Sequence, residues 1–186
     1  MIIINSDFQA QLEDGYYTLI RDSMEYGECW FVTLSFAFNI SRYTAEQKVK
    51  EWLRRLRQVL KLKEDEMQVE YIFAYQSREV LHCHLIVAAK GLQQLDHERW
   101  EDKWLEITGQ AKHDDDYDSD VYYTGQGSAC IKEIVNDESE EEDEEEDEYE
   151  EEECYTPERV ANYLVARHSY EVCHDLQFYG RAFKGC

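Results

Sequence analysis

No apolar run in these 186 residues approaches the length needed to cross a bilayer. The opening residues, MIIINSDFQ, offer four apolar positions and no basic segment, which is not the make-up of a secretory signal. The six cysteines (Cys29, Cys83, Cys130, Cys154, Cys173 and Cys186) contain no C-x-x-C pair and no regular spacing. The four longest apolar segments can supply a core without disulfide staples, so reduced thiols in a cytoplasmic protein are expected. A P-loop pattern G-x-x-x-x-G-K-[ST] is missing as well, so no attached helicase is expected.

Basic residues are scarce: 19 Lys and Arg stand against 42 Asp and Glu, for a net charge of −23. That imbalance is local. Fifteen of the seventeen residues from Asp137 to Glu153 are acidic, and five more acids lie between Asp114 and Asp120. Outside these two stretches the net charge is only −3, so the folded part is not barred from binding an anion. The length suits one domain over residues 1–186. The segment at about 137–153 reads as a disordered insertion, because like charges at that density repel and nothing apolar repays ordering.

What is present is a set of strand and helix patterns. CWFVTLSFAF (29–38) alternates, with Trp30, Val32, Leu34, Phe36 and Phe38 on one face and Phe31, Thr33, Ser35 and Ala37 on the other. The hydroxyl-bearing face can be solvated or can border a site. Thr44 with Gln47 suggests a capping box, followed by Val49, Trp52, Leu53, Leu56, Val59 and Leu60 at helical spacing. The opposite face of this helix carries Lys48, Lys50, Arg54, Arg55, Arg57, Lys61 and Lys63, the main concentration of positive charge. VEYIFAYQ (69–76) and VLHCHLIVA (80–88) read as a hairpin. A helix from about Asp96 to Thr108 follows, with Trp100, Trp104 and Leu105 inward and Gly109 as its stop. VYYT (121–124) and ACIKEIV (129–135) read as short strands. Thr156 with Pro157, the only proline, opens a last helix to about Tyr170. A short strand, LQFYG, and a basic tail with Arg181 and Lys184 end the pattern. The order β-α-β-β-α-β plus a further helix predicts an α+β fold, a ferredoxin-like (RRM-like) antiparallel sheet with helices packed on it.

Within LHCHLIVA, His82 and His84 sit at i and i+2 and so share one face of the strand, with Cys83 opposite. On a solvated sheet face such a pair needs no explanation. Here Val80, Leu81, Leu85, Ile86 and Val87 are apolar, so both faces are expected to be covered, and burying two imidazoles without partners is costly. Two imidazoles so placed can share one divalent cation and leave room for a third ligand and a substrate oxygen.

His82-Cys83-His84 in an apolar strand resembles the HUH motif of rolling-circle replication initiators and related single-strand DNA nickases, in which U is hydrophobic. WFVTLSFAF resembles the first, threonine-containing strand of that superfamily, and ERVANYLVARHSY resembles its tyrosine helix. The likeness runs from about Trp30 to Tyr170. It implies a single-tyrosine nuclease that joins a DNA 5′ phosphate to a tyrosine, with Mn²⁺ or Mg²⁺ as cofactor and single-stranded DNA at a replication origin as partner. It implies Tyr163 as nucleophile and His82 and His84 as metal ligands. Arg167, at i+4 from Tyr163, is placed to grip phosphate or to favour the phenolate. Arg54 and Lys184 are further expected DNA contacts.

The resemblance also shows departures. Many members place lysine three residues after the tyrosine, where this chain has Ala166. Members with two histidines commonly place a glutamate seven residues before the first, where this chain has Tyr75. Gln76, Glu79 or Glu70 can supply that oxygen instead. Gln76 is the choice, provided the hairpin loop is three residues long, since a one-residue shift turns it away. His168 is another candidate ligand, and Tyr170 a candidate second nucleophile or DNA contact. A transposase or mobilisation nickase would use the same chemistry, and a non-catalytic ferredoxin-like binding module would use the basic helix alone. Unwinding is expected from a host helicase.

The acidic run is expected to shield the cationic groove, to bind a basic host partner or to be a solvated insertion. If it shields, deleting residues 137–153 raises affinity for single-stranded DNA, most strongly at low salt. Unchanged affinity in a low-salt titration removes that role.

Overall fold

A computed structural model describes residues 6–36, 40–75, 81–109, 128–136, 155–172 and 180–181. The elements are α1 (Ser6–Met24), β1 (Glu28–Ser35), α2 (Arg42–Leu60), β2 (Met67–Tyr75), β3 (Leu81–Ala89), α3 (His97–Thr108), β4 (Ala129–Ile134), α4 (Pro157–Val172) and β5 (Gly180–Arg181). The strands form one sheet in the order β4-β1-β3-β2-β5, and every pairing in it is antiparallel. The segment from β1 to β4 is the expected ferredoxin-like β-α-β-β-α-β unit, an α+β fold.

Both faces of the sheet are covered. Trp30, Val32 and Leu34 of β1 and Leu81, Cys83, Leu85 and Val87 of β3 pack with Val49, Trp52 and Leu56 of α2 and Trp100 and Trp104 of α3. The indole nitrogens of two of these tryptophans are satisfied: Trp52 Nε1 donates to the Trp100 carbonyl at 3.0 Å and Trp104 Nε1 to the Ser35 carbonyl at 2.9 Å. On the other face, Cys29 and Phe31 of β1, Ile72 of β2 and Ile86 and Ala88 of β3 pack with Tyr16 and Ile20 of α1 and Val160, Ala161, Leu164 and Val165 of α4. Burial pushes the Cys29 thiol up to about 12 and the Cys83 thiol well above its ordinary range, which fits reduced, unreactive cysteines.

Several sequence expectations need correction. The N-cap of α2 is Ser41, not Thr44; the Ser41 hydroxyl accepts from the Thr44 N–H at 3.2 Å, and Ala45 N–H already bonds the Ser41 carbonyl at 2.9 Å. Val59 is exposed, because the apolar stripe of α2 turns away from the sheet in its last turn. On α3, Ile107 is buried where Leu105 is only half-buried. The final helix begins as expected, with Arg159 N–H donating to Thr156 Oγ1 at 3.2 Å and Pro157 at its first position. Residues 121–124, the rest of LQFYG and the acidic insertion lie outside the described residues.

The N-terminal helix α1 is absent from the sequence-based expectations. Gly15 interrupts its pattern, yet Leu12, Tyr16, Ile20 and Met24 at i+4 steps carry the signal that could have found it. Gly27 links it to β1 with φ at 142°, and a Cβ there would lie 2.5 Å from the Ala89 carbonyl carbon. Gly27→Ala is therefore expected to destabilise the protein by about 2–4 kcal/mol. A urea titration checks this, with the midpoint falling and the m-value unchanged.

Candidate functional site

Strand pairing builds the site row by row. β1 and β3 pair so that Ser35 stands opposite His82, Thr33 opposite His84 and Phe31 opposite Ile86. On the other side of β3, β2 places Ala74 opposite His82 and Ile72 opposite His84. The two histidines thus share the face roofed by α1 and α4, as the i, i+2 spacing predicts, with Cys83 in the opposite core. Their ring centroids are 4.8 Å apart at 80°. His84 is 3% exposed and His82 half-buried, so the pair lies at the edge of the roof.

Thr33 supplies what the hydroxyl face of β1 left open. Its Oγ1 lies 2.9 Å from His84 Nδ1. When Nδ1–H donates to that oxygen, Nε2 carries the lone pair, which is the tautomer a metal ligand needs. Phe31 stacks on His84 at 5.5 Å and 17°, closing one side of the imidazole.

Tyr163 comes from α4. Val160, Ala161, Leu164 and Val165 anchor that helix on the sheet, so Tyr163 falls on the flank of the buried stripe and is 36% exposed. Its ring meets His84 edge-on at 5.7 Å and 85°, and Phe31 at 5.7 Å. A phenol, two imidazoles and a hydroxyl from three elements are thereby brought together.

The other expected site residues fare differently. Arg54 is not brought to the histidines: α2 covers the opposite face, and Arg54 bonds Glu51 at 2.7 Å through both Nε and Nη2. With Arg55 it holds the Glu51 carboxyl at about 2. Gln76, Glu79 and Lys184 lie outside the described residues, as do the side chains of Arg167, His168 and Tyr170. The ladder before the hairpin places Tyr75 opposite Leu81. Glu70 stands one row from His84 on the same face and accepts from Gln68 Nε2 at 2.8 Å. Glu70, Tyr16, Tyr26, Ile72 and His84 line a groove of about 1020 Å³ between α1 and the sheet. The adjacent imidazoles fit two ligand places of a divalent ion. Among the described residues no group of three His, Cys, Asp or Glu is gathered that could hold one. Nor is any helix among them long and apolar enough to cross a membrane.

An α+β sheet carrying paired histidines, with a tyrosine against them, defines a candidate centre for chemistry at a phosphate. Residues 29–126, just over half of the chain, match the model of the Replication-associated protein family of the ORF2 type, and the chain belongs to that family. It is therefore a replication-associated protein. The match takes in Thr33, His82 and His84 and ends before α4 and Tyr163. No curated protein matches the chain. The crystal structure of the hypothetical protein ORF119 from Sulfolobus islandicus rod-shaped virus 1 is similar over 63% of this chain and 77% of that one, with 14% identity and a TM-score of 0.40.

Thr33→Val keeps shape but removes the hydroxyl from a buried imidazole. It is expected to cost about 1–2 kcal/mol in a urea titration, with Thr33→Ser recovering most of it. Nitrogen-15 spectra should show the His84 ring losing its fixed tautomer in the valine variant alone.

Proposed function

We propose that this replication-associated protein is an HUH-type, single-tyrosine endonuclease and strand transferase that depends on a divalent metal. It nicks and rejoins single-stranded DNA at a replication origin and so initiates rolling-circle replication of a plasmid or virus. The observation that carries the reading is Tyr163 standing edge-on to His84, with His82 beside it. A nucleophile next to two candidate metal ligands is the arrangement that covalent phosphoryl transfer requires.

In this reading the Tyr163 oxygen attacks the phosphorus. The Tyr O–P bond forms as the P–O3′ bond breaks, and the phenolic proton ends on the released 3′ oxygen. One phosphodiester replaces another, so rejoining is the same step in reverse. Mn²⁺ or Mg²⁺, when bound, polarises the phosphate and offsets its developing charge. His82 and His84 hold that ion, and Thr33 sets the His84 tautomer. Gln76 is proposed as the third ligand, with Glu70 on the same face as the alternative. Arg167, one turn beyond Tyr163, grips the phosphate, and Lys184 in the tail adds charge. A host helicase supplies unwinding.

Incubation with a labelled single-stranded origin oligonucleotide and Mn²⁺ is expected to give a covalent adduct on a denaturing gel. Tyr163→Phe should abolish it, and His84→Ala should slow it by about 10²-fold or more. No adduct from the wild type, or an undiminished one from Tyr163→Phe, overturns the reading.

A further inference from the structure

The cations of α2 are engaged along their own helix or with its neighbours: Arg42 with Glu46, Arg54 and Arg55 with Glu51, and Arg57 with Glu64. They also lie across the sheet from the histidines. Positive charge on the histidine face has another source. Lys132 of β4 stands opposite Phe31, and its Nζ lies 5.9 Å from the centroid of the Tyr155 ring. Arg159, in the first turn of α4, places its Cζ 5.3 Å from the same centroid. Both cations are exposed and the ring is half-buried.

The ring is fixed in place. Val135 N–H donates to the Tyr155 carbonyl at 3.0 Å, and Ile134 and Tyr155 form a parallel bridge. The Tyr155 ring stacks with Phe31 at 6.3 Å and 27°. Phe31 in turn touches both His84 and Tyr163. A single phenyl ring therefore separates Tyr155 and its two cations from the histidine–tyrosine centre. Glu133, the neighbouring carboxylate on β4, belongs to the opposite face, where it approaches His97 at 3.7 Å. Glu158, beside Arg159 at the start of α4, is exposed.

We propose that Lys132 and Arg159, positioned by Tyr155, form a phosphate-binding subsite for the single-stranded DNA that flanks the bond presented to Tyr163. The proposal rests on the nicking reading above. A cation held over an aromatic face has already lost much of its rotamer freedom, so less entropy is lost when a phosphate arrives. Lys132 supplies a point charge and Arg159 a planar fork of donors. Phosphate contacts of this kind are not sequence-selective, so the subsite sets the path of the strand and leaves base readout to other residues.

The test is metal-free binding of a fluorescein-labelled oligo-dT strand to the full chain, followed by anisotropy over a salt series. Lys132→Ala and Arg159→Ala should each make the plot of log affinity against log salt shallower by about 0.7, and weaken binding about 3- to 10-fold near 0.1 M salt. Lys132→Arg, which keeps the charge, should retain the slope, and Arg54→Ala should leave it unchanged. The double variant is checked for an unaltered melting temperature. A double-variant slope equal to wild type, a loss as large in Arg54→Ala, or no binding by the wild type overturns the subsite. If the slopes fall as expected but no Tyr163 adduct forms, the subsite stands and the nicking reading fails. If the adduct forms and the slopes do not change, only the subsite fails.

Discussion

The antiparallel register between β1 and β3 is the constraint on which the site depends. It sets Thr33 against His84 and Ser35 against His82 in the same act that sends Trp30, Val32 and Leu34 into one core and Cys29 and Phe31 into the other. A slip of one residue would exchange the faces, pushing both hydroxyls and both imidazoles into the tryptophan-rich layer under α2 and α3. Burial of two different apolar sets on the two faces makes that slip expensive. The hydrogen bond at the heart of the site is therefore held by the packing of the whole sheet.

The second consequence is environmental. A ferredoxin-like sheet needs helices on only one face, and here α2 and α3 provide them. The additional helices α1 and α4 roof the other face as far as Phe31, Ile86 and Leu164 and stop short of His82. His84 is consequently buried while its neighbour remains half-open, and Tyr163 leans over the boundary from the flank of α4. Substrate can approach the rim, and the ring that must keep one orientation is shielded from water.

Charge follows the same division. Helix α2 carries the main basic stripe of the chain, yet its guanidinium groups are drawn to Glu46, Glu51, Glu64 and Glu106. Exposed ion pairs of this kind contribute little to stability, but they lower the field that a DNA strand would meet on that side. The smaller set around Tyr155 sits beside the histidines and Tyr163, which gives it the greater functional weight.

Much of this was legible in the residues. Strict alternation marked β1 and the shared face of His82 and His84, since period-two geometry holds for any strand. The stripe Val160, Ala161, Leu164 and Val165 set which side of the last helix is buried, and hence that Tyr163 lies beside it. Helix α1 escaped because Gly15 broke a weak stripe whose burial only tertiary packing reveals. Arg54 misled because a linear pattern shows where a charge sits on its helix and not which sheet face that helix covers. The sequence by itself determined the elements, the ferredoxin-like α+β class and the pairing of the histidines, all of which follow from local periodicity. Only the tertiary structure decided that Thr33 meets His84, that Tyr163 lies against that ring and that Lys132 and Arg159 converge on Tyr155. Most of those contacts join residues far apart in the chain, and strand register and helix docking alone can bring them together.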